Sequence, residues 1–236
     1  ELAAAYDRFS EEHPADPGTV WGKWPTHYPE LELEDEQINA AAGRNDVAIV
    51  VIGRAAGEDR DAELAPGSYF LTEQEESLIA RVSAAFERTV AVIDAGNVMD
   101  LSWAERYPLS ALVIAWAGGM ESGHALADVL TGVTEPGGRL TASIARRYED
   151  APSAQNFGDP DVTNYVEDVF VGYRYYETFA PGAAQFHFGE GLGYTSFSLG
   201  LGNLGSDATR AHLDVTAKNT GERGGSTVVQ AYLETP

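Results

Sequence analysis

Residues 47–61 read Val-Ala-Ile-Val-Val-Ile-Gly-Arg-Ala-Ala-Gly-Glu-Asp-Arg-Asp, and this stretch decides the fold. Its first six residues are apolar and mostly β-branched, which is typical of a strand buried on both faces of a parallel sheet. Two glycines and four consecutive charged residues follow and predict a loop at the carboxyl end of that strand. In open α/β sheets, ligands and chemistry gather at this end of the strands.

Helix and strand patterns alternate on both sides of this stretch. Thr72 and Glu75 form a capping box that predicts a helix running to about Phe86. Further strands are predicted at 90–93, 111–116 and 140–144, and further helices at 34–42, 101–107 and 121–130, the last ended by Gly132. This alternation predicts an α/β fold, with a mostly parallel sheet sandwiched by helices and joined by right-handed crossovers.

From about residue 199 the pattern changes to glycine-rich and alternating segments. Residues 213–217 alternate, residues 219–221 suit a turn, and residues 228–233 suit another strand, so an antiparallel arrangement is predicted. We interpret 1–195 as an α/β-sandwich domain and 196–236 as the start of an incomplete β-sandwich. The strands in this second part are too few to close a two-sheet core.

The composition argues against several classes of function. The formal net charge of -22 repels phosphate backbones and anionic membranes, so neither nucleic acid nor a membrane is an expected partner. Cysteine is absent and none of the five histidines pairs at i, i+4 spacing, so no metal site and no cofactor are expected. The chain shows neither a bilayer-length apolar run nor a signal-peptide pattern, which favours a cytoplasmic location over a secreted one.

The charged loop contains the main candidate for chemistry. Glu58 follows the end of the predicted strand, among the charged side chains of Asp59, Arg60 and Asp61. A carboxyl group crowded by other acids in a cleft has a raised pKa, as a general acid needs near neutral pH. From the pattern alone, a solvated charged loop is the simpler interpretation.

Three other segments are better explained by packing. Residues 118–123 depart from the G-x-G-x-x-G pattern and lack a P-loop lysine, and residues 189–193 follow no strand–helix unit, which argues against a nucleotide-binding domain. A cluster of aromatic side chains could be a sugar platform, although core or interdomain packing is the commoner role; it comprises Phe170, Tyr173, Tyr175, Tyr176 and Phe179.

Six segments, taken in chain order, resemble glycoside hydrolase family 3 of the β-glucosidase type. They are residues 46–61, 67–75, 116–123 (W-x-x-G-x-E-x-G), 127–132 (A-D-V-L-x-G), 136–140 (P-x-G-(K/R)-L) and 164–179. Each segment is modest alone, but their order over most of the chain is specific. The resemblance therefore favours a functional role for Glu58 over a solvated loop.

The resemblance implies a retaining glycosidase that acts on a carbohydrate substrate. In such enzymes one carboxylate attacks the anomeric carbon and a second, roughly 5–5.5 Å away, protonates the leaving oxygen and later deprotonates water. In this family the nucleophile is an Asp on a separate (β/α)8 barrel, and the acid/base comes from a loop of the α/β sandwich. Glu58 matches that loop position, and Asp59, Arg60 and Asp61 would hold Glu58 and tune its pKa.

The chain also departs from the family pattern. It contains no barrel, and the strand with which the family sandwich usually opens is absent. Residues 188–195 resemble a family motif but carry an unusual acid, Glu190, and lack its serine; residues 199–233 resemble the first part of the family's fibronectin-III-like domain. The chain is most similar to circularly permuted members whose sandwich precedes the barrel, so the barrel is expected beyond Pro236. The chain alone is expected to be inactive, and a non-catalytic carbohydrate-binding or scaffolding module is the alternative.

Overall fold

A computed structural model describes residues 2–14, 27–55, 62–159 and 161–233. Its α-helices are α1 (Leu2–Glu12), α2 (Asp35–Ala42), α3 (Glu73–Ala85), α4 (Ser122–Leu130) and α5 (Tyr173–Phe179). Its strands are β1 (Val47–Gly53), β2 (Arg88–Asp94), β3 (Ala111–Ile114), β4 (Ile144–Ala145), β5 (Ala184–Phe186), β6 (Phe197–Ser206) and β7 (Ala211–Asn219). Short 3₁₀ helices span Ser102–Glu105 and Tyr148–Asp150.

The central sheet is parallel, with the strand order β1-β2-β3. This sheet and its helices confirm the predicted α/β class. The fourth predicted strand, at 140–144, does not join the sheet: β4 instead pairs antiparallel with β5. The backbone of Leu140 is engaged elsewhere, because its N–H donates to Glu190 O and its carbonyl accepts from the N–H of Gly189.

The core lies between one face of this sheet and helices α2 and α3. Ile52, Ile79 and Ile93 are almost fully buried there, together with the indole of Trp103. The prediction of burial on both faces is wrong for β1. Three alternating side chains on its other face are about half exposed: Val47 (41%), Ile49 (52%) and Val51 (51%). The described residues therefore cover only one side of this edge strand.

The helix boundaries follow from local capping. Thr72 Oγ1 accepts from the N–H of Glu75, and the Glu75 carboxylate accepts from the N–H of Thr72, so the predicted capping box is present. Helix α4 is followed by Gly132 with φ +75°, a left-handed conformation that glycine adopts without the strain of a Cβ. No helix in the described ranges is both long enough and apolar enough to cross a membrane.

The last part of the chain contains a hairpin in which β6 pairs antiparallel with β7. The turn between them is closed by Asp207, whose carboxylate accepts from the N–H groups of Thr209 and Arg210. The prediction of a strand at 228–233 is wrong, because this segment is described and pairs with none of the described strands. A strand needs a hydrogen-bonded neighbour, and the described residues provide none for this segment. The domain boundary at 195/196 stays a prediction.

Candidate functional site

The carboxyl ends of the three parallel strands lie side by side. Just beyond β1, the N–H of Arg54 donates to Asp94 O on β2 at 3.0 Å. Just beyond β3, the N–H of Ala115 donates to Ile93 O at 2.8 Å. The loops that follow the three strands therefore start from one edge of the sheet, where open α/β sheets place their chemistry.

The four residues predicted to carry chemistry lie outside the described residues. Glu58, Asp59, Arg60 and Asp61 belong to the segment 56–61, and their roles stay predictions. The structure does describe the residues on either side of this segment. Those residues determine where the loop leaves the sheet and where it returns.

An ion pair between Arg54 and Glu75 lies at the point where the loop leaves. Arg54 Nη1 is 2.5 Å from Glu75 Oε1, and Arg54 Nη2 is 2.8 Å from Glu75 Oε2, so the contact is bidentate. The two side chains are only 6% and 3% exposed. Bidentate pairs of this kind fix orientation as well as distance, and this one joins the end of β1 to the first turn of α3.

The same guanidinium also binds residues 63–70, which follow the loop and are called the return segment. Arg54 Nε donates to Ser68 O at 3.1 Å, Nη2 donates to Phe70 O at 3.2 Å, and Nη1 donates to Gly53 O at 2.7 Å. With the two bonds to Glu75, each of the five N–H groups of the guanidinium has an acceptor. The return segment has bonds of its own, since the N–H of Glu63 donates to Ser68 Oγ at 2.9 Å.

Arg54 is not among the site residues predicted from the sequence. It stands just outside the run of four charged residues that identified the loop, and Glu75 was recognised only as part of a capping box. The two residues are 21 positions apart, and no local pattern links them. An arginine directly after a buried strand, with an acidic helix start downstream, is the only signal that could have suggested the pair.

Acidic groups gather around this pair. Burial raises the pKa of the Glu30 carboxyl above its usual range, and the neighbouring Glu75 carboxylate raises it further, while Arg54 and His27 act in the opposite direction. The segment around Glu30 packs closely on the turn at Gly67, where an added Cβ would lie 2.1 Å from the His27 ring. In this region burial thus favours the protonated form of Glu30, whereas the Glu75 carboxylate is held in the ion pair with Arg54.

The loop after β3 begins with a strained residue. Trp116 has φ +55°, a left-handed conformation that is unusual for a bulky side chain. Such strain costs on the order of 1–3 kcal/mol and is concentrated at active sites and ligand clamps. Trp116 is also the first residue of the W-x-x-G-x-E-x-G segment, which supports the assignment of this edge as the functional one.

The aromatic cluster is divided between packing and exposure. Tyr176 is buried in a small second core with Ala145 and Ala184, so packing accounts for this residue. Tyr173 stacks on Phe188 at 5.0 Å between ring centroids, outside that core. The rings of Phe170, Phe179, Tyr175 and Tyr176 contact one another in series, and Tyr173 makes its ring contacts with residues outside this series.

Glu190, the unusual acid, has a local structural role. Its carboxylate accepts from the N–H of His187 at 2.8 Å, and its carbonyl accepts from the N–H of Leu140 at 2.9 Å. It closes the turn that holds Leu140. Within the part of the chain that the structure describes, no group of three or more His, Asp or Glu side chains is arranged to hold a metal ion.

Comparison with a family model and comparison with individual proteins give consistent results. The model of the glycosyl hydrolase family 3 C-terminal domain matches residues 4–194. A β-glucosidase of Ruminococcus albus is 39% identical over 236 residues, which cover 100% of this chain and 25% of that protein. β-Glucosidase A of Butyrivibrio fibrisolvens is 33% identical over 271 residues, covering 97% of this chain and 32% of that protein.

Solved structures agree with these relatives. A β-glucosidase from Paenibacillus barengoltzii superposes with a TM-score of 0.85 at 40% identity, over 93% of this chain and 25% of that chain. β-Glucosidase 3B from Thermotoga neapolitana, in complex with glucose, gives a TM-score of 0.81 at 32% identity, over 95% of this chain and 32% of that chain. The chain thus spans between a quarter and a third of the length of these relatives.

Proposed function

Because this chain belongs to glycosyl hydrolase family 3 and matches the C-terminal domain of that family, we propose that it supplies the general acid/base of a retaining, β-glucosidase-like enzyme. The substrate is a short glycoside from whose non-reducing end β-linked glucose or a similar sugar is removed. The relatives that cover this chain are β-glucosidases, which supports the substrate class.

In the proposed first step, the Glu58 carboxyl donates its proton to the glycosidic oxygen while the bond from that oxygen to the anomeric carbon breaks. A carboxylate nucleophile, an Asp on a (β/α)8 barrel elsewhere in the enzyme, forms the new bond to the anomeric carbon from the opposite face. In the second step, the Glu58 carboxylate takes a proton from water, whose oxygen displaces the Asp and releases the sugar with its configuration retained.

One observation supports the assignment of the general acid/base to this loop. Both described ends of the loop, at Arg54 and at the return segment 63–70, are tied to the carboxyl edge of the parallel sheet by a single buried guanidinium. A loop with fixed ends can present Glu58 to a substrate held by another domain.

Glu58→Ala in the complete enzyme tests the proposal. We expect kcat/KM for cellobiose to fall by about 10²–10⁴-fold, the usual contribution of general acid–base catalysis. A nitrophenyl β-glucoside, whose leaving group needs less protonation, should lose less. Azide should restore turnover of that substrate and yield a β-glucosyl azide, because a small anion can use the space that the carboxylate vacates.

The matched control is Glu222→Ala, which removes an exposed carboxylate after β7, distant in sequence from the loop. This variant should keep the activity of the parent enzyme. If Glu58→Ala also keeps full activity on cellobiose, Glu58 is not the acid/base and the proposal fails.

A further inference from the structure

We propose that Arg54, held in place by Glu75, is the positioning residue of the acid/base, because it fixes both ends of the loop that carries Glu58. This inference rests on the proposed function of Glu58, which lies four positions after Arg54 in the sequence. Arg54 itself contacts backbone carbonyls and Glu75, so it acts on the reaction through the loop.

The burial of the pair argues for a positioning role. Removing two charges from water carries a desolvation penalty that often exceeds their attraction, so a buried pair is a weak source of stability compared with apolar side chains. Arg54 and Glu75 are 6% and 3% exposed, and each also bonds to backbone groups. Such a fully bonded pair determines geometry, which apolar side chains of the same volume would not do.

The contacts form a chain from a rigid element to the loop. Helix α3 holds Glu75 through its capping box, in which Glu75 Oε2 accepts from the N–H of Thr72 at 2.8 Å. Glu75 orients the guanidinium of Arg54, and the guanidinium binds Ser68 O and Phe70 O on the return segment. Both ends of the loop therefore take their position from the first turn of α3.

Lysine cannot reproduce this arrangement. Its ammonium group is a point charge with three donors, whereas the guanidinium is a planar fork with five. A lysine at position 54 could keep the charge opposite Glu75 but would lose the simultaneous bonds to Ser68 O and Phe70 O. The expected result is a correctly folded domain in which the loop ends are less well fixed.

A misplaced acid produces a recognisable kinetic pattern. The glucose leaving group of cellobiose departs only with a proton, whereas dinitrophenolate departs without one, so a fault in acid catalysis affects only the first substrate strongly. The parameter kcat/KM reports the first bond-breaking step and excludes the second. Displacements of about 1 Å can reduce rates by about 10²-fold.

Arg54→Lys in the complete enzyme is therefore assayed with cellobiose and with 2,4-dinitrophenyl β-glucoside. We expect kcat/KM to fall about 10–100-fold for cellobiose and less than about 3-fold for the dinitrophenyl substrate, within the range that misplacement accounts for. Azide should not rescue this variant, because the Glu58 carboxylate is still present. Glu75→Gln should give the same selectivity with a smaller loss, and it serves as a second variant if Arg54→Lys folds poorly.

The matched control is Arg106→Lys. Arg106 Nη2 is 2.8 Å from Glu76 Oε1, so it pairs with the carboxylate next to Glu75 on α3, but it does not bind the loop ends. This variant should keep both rates close to those of the parent enzyme. Equal losses on both substrates for Arg54→Lys, or no loss on either, would overturn the inference.

The two sets of variants distinguish failure of the inference about Arg54 from failure of the proposed function. If Glu58→Ala shows the selective loss and azide rescue while Arg54→Lys does not show selectivity, only the positioning role is wrong. If Glu58→Ala is unaffected, the acid/base assignment fails and the positioning role fails with it.

Discussion

At the residue scale, the burial of ionisable side chains makes the free energy of unfolding depend on pH. Arg54 has an acceptor for each of its donors, and these bonds offset part of the desolvation penalty of its buried charge. Glu30 lies in the same region with a raised pKa. Two tyrosines, Tyr69 on the return segment and Tyr176 in the second core, also have a raised pKa, because burial favours the neutral, protonated phenol.

Alkaline pH should unfold the chain through these tyrosines. Burial, with a contribution from Asp100, raises the pKa of Tyr69 from 10.0 to about 12; burial, with Asp150, raises that of Tyr176 likewise to about 12. The folded state thus favours the protonated phenols. Their contribution to the free energy of unfolding is complete below pH 10 and is lost as the pH rises through about 12.

The measurement is urea unfolding of the 236-residue chain at several values between pH 9 and pH 11.5, a range bounded by the ordinary tyrosine pKa of about 10 and the raised values. The free energy of unfolding should fall across this range, and the fall should be smaller in the variant Tyr69→Phe/Tyr176→Phe. Tyr165→Phe, at an exposed side chain, is the control and should leave the slope as it is. An identical slope in the double variant would contradict the prediction.

At the element scale, short-range chemistry explains the helices, whereas the strands depend on their neighbours. The capping box of α3 and the glycine after α4 are both present where the sequence predicts them. Strand-like composition was a poorer guide. Residues 140–144 do not join the parallel sheet as predicted, and residues 228–233 form no strand. A strand requires a partner at the right place, which composition cannot guarantee.

Two glycines, one within α4 and one just after it, should respond in opposite ways to the same substitution. Gly123 lies within the helix and has open space around its α-carbon, so Gly123→Ala should raise the free energy of unfolding by about 0.5–1 kcal/mol. Gly132 has φ +75°, and an added Cβ would lie 3.1 Å from the guanidinium of Arg223. Gly132→Ala should therefore lower that free energy by about 1–2 kcal/mol.

Urea unfolding midpoints of the two variants and the parent chain check this pair. Gly132→Asn is an informative third variant, because asparagine tolerates the left-handed conformation better than alanine and should lose less. If both alanine variants shift the midpoint in the same direction, the conformation assigned to Gly132 is wrong.

At the scale of the whole molecule, the chain is a domain of family 3, as the six ordered segments predicted and the family comparison confirms. It spans 25% and 32% of the two bacterial relatives, so the remaining catalytic machinery is proposed to lie in other parts of a longer enzyme. The cytoplasmic location and the order of sandwich and barrel stay predictions. The half-exposed face of β1 is an apolar surface that the described residues do not cover.

The isolated 236-residue chain should not hydrolyse a nitrophenyl β-glucoside. A general acid alone cannot break the glycosidic bond at a useful rate, because the proposed mechanism also needs the nucleophile of the barrel. Calorimetry with glucose and cellobiose should show weak binding or none. Turnover by the isolated chain would contradict the division of the catalytic pair, and tight binding of either sugar would favour the alternative of a carbohydrate-binding module.

The sequence by itself determined the capping box at Thr72, the end of α4 at Gly132, the three parallel strands and the family. The capping box and the helix end follow from hydrogen bonds within a few positions. The parallel sheet follows from the alternation of strand and helix patterns, and the family from the order of six segments. Both the position of Glu58 in the loop after β1 and its role stay predictions.

Only the tertiary structure decided which distant residues meet. The pairing of Arg54 with Glu75, the return of residues 63–70 to the same guanidinium, the antiparallel partner of β4 and the one-sided burial of β1 all involve segments far apart in the chain. Each of these contacts depends on how the rest of the chain folds, and the residues of one segment alone do not determine which partner they contact.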